Sequence, residues 1–171
     1  LKLNTMNKFK FSLLRYPIML ILGALVITSC GDDPEDPDDE GPEVITTMTL
    51  NFVNDNDATD TRSFSFRDPD GDGGGAPTEF DDIVLAANST YTLNIELLDE
   101  SDANDVEDIT AEIRDEDDEH LFCFTVVDSD VAITRTDSDG ALEVGLTSSW
   151  VTGAAGTGTV TILLKHQPDV K

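Results

Sequence analysis

Tyr91-Thr92-Leu93-Asn94-Ile95-Glu96-Leu97 decides the fold. Apolar side chains fall on the odd positions and polar ones on the even positions. A β-strand sends successive side chains to opposite faces, so this stretch buries one face and wets the other. Working outward, the same period of two recurs. Met48, Leu50 and Phe52 alternate with Thr47, Thr49 and Asn51, and Phe64 and Phe66 alternate with Ser63, Ser65 and Arg67. Further strands are predicted over Ile83 to Ala86, Leu121 to Val127, Val131 to Arg135, Leu142 to Leu146 and Thr159 to Lys165. Turn signals separate them: Asp70-Gly71, Asn88-Ser89, Asp128-Ser129-Asp130 and Asp139-Gly140. This spacing predicts a mainly all-β domain over residues 43–171, an antiparallel, Ig-like β-sandwich of about eight strands with one short helix.

The helix is expected within Asp105 to His120. Ile109 and Ile113 are four apart there, and aspartates at the start suit the positive end of a helix dipole. The like-charge run Asp115-Glu116-Asp117-Asp118-Glu119 weakens its second half.

The N-terminal part has a different composition. Met6 reads as the start, preceded by read-through. Lys8, Lys10 and Arg15 form a basic region, and Ile18 to Val26 an apolar one of secretory-signal length. Leu25-Val26-Ile27-Thr28-Ser29-Cys30 then places a branched apolar residue and two small residues before a cysteine. With this lipobox pattern the chain resembles bacterial lipoproteins over about its first forty residues. The resemblance implies a signal peptide over 1–29, diacylglycerol thioether lipidation of Cys30 and acylation of its new amino group. One acyl chain holds a protein to a membrane only marginally, whereas several anchor it stably. Residues 30–42 follow as a tether: Gly31 to Pro42 carries no apolar residue except proline, so charge repulsion and proline predict an extended, disordered linker. Acidity directly after the cysteine also resembles the export signal of Bacteroidota-type lipoproteins, which implies the outer leaflet of the outer membrane and the cell surface.

The leader holds four of the ten basic residues and no acidic one, so the 142 residues after it carry six basic and 36 acidic side chains, a net charge of −30. That charge excludes nucleic acid as a partner, because phosphate binding needs a basic face. It disfavours lying flat on an anionic membrane as well. With Cys30 taken by lipid, Cys123 has no internal partner and reads as a small buried hydrophobe of the strand Leu121-Phe122-Cys123-Phe124.

Asp68-Pro69-Asp70-Gly71-Asp72-Gly73-Gly74-Gly75-Ala76-Pro77-Thr78-Glu79 matches D-x-D-x-D-G-x5-E, the spacing of the calcium loop. Asp68, Asp70, Asp72 and Glu79 would supply carboxylates and Gly74 a carbonyl to a Ca²⁺ of weak, about 10⁻⁴–10⁻³ M, affinity. Its flanks read as strands, so it is no EF-hand, and the competing reading is an acidic hairpin turn. Glu116 and His120 lie at i, i+4, a spacing that can hold a metal on a helix, but two ligands make a weak site, and the pair reads as a solvated helix end instead. His166 reads as the end of the last strand. Gly153-Ala154-Ala155-Gly156-Thr157-Gly158 is a hairpin connection, since no helix start with Lys-Ser/Thr follows it. No Gly-x-Ser-x-Gly elbow occurs. Trp150, the single tryptophan, reads as core rather than as a glycan platform.

Three features are together similar, more loosely, to small acidic lipoproteins labelled as type-one periplasmic-binding-fold or GTP cyclohydrolase-related. They are Phe64-x-Phe66-x-Asp68-x-Asp70-Gly71-Asp72-Gly73-Gly74, the acidic helix ending at His120, and Leu164-Lys165-His166-x-Pro168. The first label implies parallel sheets with crossover helices over about twice this length, the second a zinc constellation; the residues themselves read as antiparallel strands. Proteins of this look carry one more strand after the closing motif, so a stop at Lys171 is expected to leave a sheet edge unpaired. The expected function is that of a membrane-anchored envelope lipoprotein, a non-catalytic binding or structural module with a protein or glycan ligand. The alternative is a small hydrolase of the envelope, which requires a pocket with convergent polar groups.

Overall fold

Alternation builds the domain strand by strand. A computed structural model describes residues 44–71 and 74–167. The elements are β1 (Thr47–Asn54), β2 (Asp57–Arg67), β3 (Glu79–Phe80), β4 (Thr90–Leu98), α1 (Ile109–Asp115), β5 (His120–Val127), β6 (Val131–Arg135), β7 (Thr147–Thr152) and β8 (Thr159–His166). The protein is mainly β, with every strand pair antiparallel. The strands are divided six and two: one sheet runs β3-β2-β1-β4-β7-β6, the other is β5-β8.

Register puts the apolar phases on one face. Leu50 lies between Phe64 and Ile95, and Phe52 between Arg62 and Leu93. Trp150 sits between Tyr91 and Ile133. The smaller sheet contributes Phe122, Phe124, Leu164 and Ile162 to the same core. Aromatic edges meet within and between the layers: Phe52 packs on Trp150 of the same sheet at 5.1 Å, and Phe124 of the smaller sheet meets Trp150 at 6.1 Å between ring centroids. Such edge-to-face pairs add about 0.5–1.5 kcal/mol each beyond burial.

The helix is shorter than expected, seven residues from Ile109 to Asp115. Asp108 caps it by accepting from the Ala111 N–H, and Ile109 and Ile113 are buried as anticipated. Thr110 joins it to β4: its Oγ1 accepts from the Leu97 N–H at 2.7 Å and donates to the Leu97 carbonyl at 3.1 Å. Glu116 is the C-cap residue, and the acidic run beyond it is no longer helix.

Two expected strands are absent. Ile83 to Ala86 pairs with no strand among the described residues, and side chains hold it instead: Arg62 Nη1 donates to the Val84 carbonyl and the Ala86 N–H donates to Tyr91 Oη. Leu142 to Leu146 is a bridge between the sheets. The Phe122 N–H donates to the Val144 carbonyl and the Ile95 N–H to the Leu146 carbonyl. Gly145 makes this bridge possible, since its φ is +99° and a Cβ there would lie 2.9 Å from that of Phe122. Conversely, β7 and the first half of β2 went unanticipated, because Ser148-Ser149 and Asp57 to Arg62 dilute the apolar alternation.

Candidate functional site

The unequal sheets leave a groove. Where β5-β8 stops short of the six-stranded sheet, a cleft of about 720 Å³ opens between β8 and the segment after β3. Met48, Leu50, Phe64 and Phe66 form its floor with Trp150, and Phe80, Ile83 and Leu85 form one wall. Val160 and Ile162 of β8 form the other wall. Phe66 and Phe80 meet edge to face at 5.9 Å, and Phe80 stays 55% exposed. Asp81, Asp82 and Asp130 stand among the lining residues as its charged members.

Two hydrogen-bond networks fix the walls. Tyr91 Oη donates to Asp60 at 2.9 Å, and Arg62 Nε donates to the same carboxylate at 2.9 Å. Arg62 and Tyr91 are the side chains that hold the 83–86 segment, so this network sets the width of the groove. Donation from Arg62 first, then from Asn54 and Tyr91, lowers the Asp60 pKa to about 2. At the far end, Thr152 Oγ1 donates to the Ala86 carbonyl at 2.7 Å and accepts from the Ser89 N–H at 2.9 Å.

The β8 edge facing the groove has no strand partner among the described residues; β8 pairs with β5 alone. An antiparallel strand paired on one side leaves alternate N–H and C=O groups on the other side for water or another strand. Apolar groove and open edge together could take an extended chain, with backbone bonds from β8 and pockets for alternate side chains.

The expected calcium ligands are placed as follows. Asp70 folds onto its own loop and accepts from the Gly75 N–H at 2.7 Å, which holds its pKa below the usual carboxylate range. Its carboxylate fills the space that a Cβ on Gly74 would need. Glu79 opens β3 in register with Arg67, which is itself ion-paired to Glu100 at 2.8 Å. Asp68 ends the β2 side of the loop, donating its N–H to the Thr46 carbonyl. Asp72 and Gly73 lie outside the described residues, as do Cys30, the leader over 1–29 and the tether over 30–42.

His120 departs from the sequence reading. It is not a solvated helix end but the first residue of β5, with none of its surface exposed. The β5-β8 register sets His166 directly opposite, and the two rings stack at 4.7 Å with 6° between their planes. Glu116 completes a group whose ligand atoms lie within 4.8 Å of one another, the one such cluster among the described residues. Sequence spacing hid the approach of His166, which is 46 residues away; both strands are legible in the sequence, but their pairing and register, which set the two rings together, are not. Cys123 is half-buried, on the face of β5 opposite His120 and Phe122. Trp150 is core, 1% exposed, and its Nε1 donates to Ser148 Oγ at 3.0 Å.

Comparison of the chain with protein-family models, with curated proteins and with solved structures returns no match.

Proposed function

We propose that the protein is a lipid-anchored lipoprotein of the outer membrane, held at the cell surface by Cys30. There it works as a non-catalytic binding module that takes an extended segment of a partner protein into the groove beside β8. The observation that carries this reading is the coincidence of an uncovered apolar face with an open strand edge on the same side of the domain.

The chemistry of the occupant follows from the walls. A strand added to β8 points alternate side chains the way Val160 and Ile162 point, onto Phe64 and Phe66, and the others to water. The occupant therefore alternates apolar and polar residues. The rim aspartates and a net charge of −30 after the leader favour basic residues at its ends and steer them in. A glycan fits less well: Trp150 is buried, and the groove aromatics are phenylalanines without a hydrogen-bonding edge.

The test is a titration of the full chain in detergent with a synthetic peptide of alternating valine and threonine flanked by lysines. Because Trp150 underlies the groove, its fluorescence reports occupancy. A saturable change is expected that is lost when proline replaces alternate residues of the peptide, since proline cannot donate to the β8 edge. Phe80→Asp, at an exposed position, is expected to abolish it too. Equal responses to both peptides, or no response to either, contradict the proposal.

A further inference from the structure

We propose that Glu116, His120 and His166 form a binding site for one transition cation of the zinc class, held between the end of the β5-β8 sheet and the C-terminus of α1. This is independent of the groove.

Zinc takes imidazole nitrogen and carboxylate oxygen together, in sets of three protein ligands plus water or four protein ligands. Two nitrogen donors and one carboxylate suit zinc and its neighbours better than calcium or magnesium, which prefer oxygen alone. The fold assembles that set from three separate places. His120 opens β5, His166 ends β8 on the facing position of the same sheet, and Glu116 caps α1 four residues before His120.

The supporting contacts are those of a metal-ligating histidine pair. His120 Nδ1 lies 2.9 Å from the Glu116 carbonyl, which can only accept, so Nδ1 carries a proton and a metal would be met by Nε2. His166 Nε2 lies 3.1 Å from the Glu119 carboxylate. Metal-bound histidines characteristically give their second N–H to a carbonyl or a carboxylate, which fixes the tautomer and the ring orientation. Here one ring has each kind of partner.

Mobility is distributed as binding requires. Ligand atoms on a tetrahedral zinc, with bonds of about 2.0–2.1 Å, lie about 3.3 Å apart. The cluster, within 4.8 Å, must therefore close somewhat. His120 is buried and stays fixed. Glu116 is exposed and the His166 side chain is 49% exposed, so their side chains can turn towards it, the His166 ring tilting out of the stack.

The experiment titrates the full chain, stripped with chelator, with Zn²⁺ against a chromophoric competitor, and follows thermal unfolding in parallel. One saturable equivalent and a raised unfolding temperature are expected, with neither reproduced by equal Ca²⁺ or Mg²⁺. His166→Ala should abolish the saturable phase. Glu119→Gln, which keeps the side chain's shape and removes its charge, should weaken it about 10- to 100-fold. Diffuse binding without a saturable equivalent overturns the proposal. So does an equivalent that survives both substitutions, or one removed by Cys123→Ser instead.

Discussion

Gly145→Ala tests the bridge that joins the two sheets. Gly145 holds a φ of +99°, a conformation L-residues rarely adopt, which costs about 1–3 kcal/mol. A methyl group there also meets Phe122 Cβ at 2.9 Å and the Arg135 side chain at 3.1 Å. Overpacking of that kind costs about 1–3 kcal/mol more, because Phe122 is core and cannot retreat. The sum, about 2–6 kcal/mol, is a large part of a typical domain stability of about 5–15 kcal/mol. Gly140 supplies the control. Its φ is +100°, yet a Cβ there meets nothing within 4 Å. Gly140→Ala should therefore lose the conformational part alone, and the difference between the two variants isolates the packing at the bridge. Urea unfolding followed by Trp150 fluorescence measures both, since this buried indole reports loss of the core. If the two variants lose equal stability, to within about 0.5 kcal/mol, the close approach of the 144–146 segment to β5 is wrong.

Two further outcomes follow from named residues. Asp60 has a folded pKa of about 2, held below the ordinary carboxylate range by the Arg62, Asn54 and Tyr91 hydrogen bonds, so its ionised form stabilises the fold. That contribution is complete above the unfolded value and is lost as pH falls through the folded one. Asp60→Asn should lower the unfolding temperature near neutral pH, and its curve should converge on that of the unaltered protein between about pH 4 and pH 2; parallel curves throughout would remove Asp60 from the account. Cys30→Ala should abolish lipid labelling and move the protein from the membrane to the soluble fraction; retention in the membrane fraction would refute the lipobox reading.

Much of the sandwich is legible in the residues, and the limits are physical. Strands with an apolar phase, such as β1 and β4, declare themselves because one face is buried. β7 does not, since its inward positions hold Ser148 and Thr152 around Trp150, with hydroxyls satisfied by Trp150 Nε1 and by the 86–89 segment. The 83–86 and 142–146 segments carry strand-like residues but serve as a wall and a bridge, a choice made by Arg62, Tyr91 and Gly145 far away in sequence. The helix is recognisable from Ile109 and Ile113, but charge repulsion ends it before Glu116. For the sites, the acidic loop is conspicuous as a motif, yet Asp70 turns to Gly75 and Glu79 joins β3. The groove and the paired histidines are invisible in sequence because both depend on how many strands each sheet receives and on the β5-β8 register.

Amide hydrogen exchange along β8, with and without the lysine-flanked valine–threonine peptide, tests the central proposal most directly. In the free protein the β8 N–H groups that point away from β5 should exchange quickly, while those bonded to β5 are protected. Added peptide should protect the outward set, Val160, Ile162 and Leu164, and leave the 120–127 pattern unchanged. An outward set that is already protected in the free protein, or that remains fast at saturating peptide, would contradict an open edge that receives a strand.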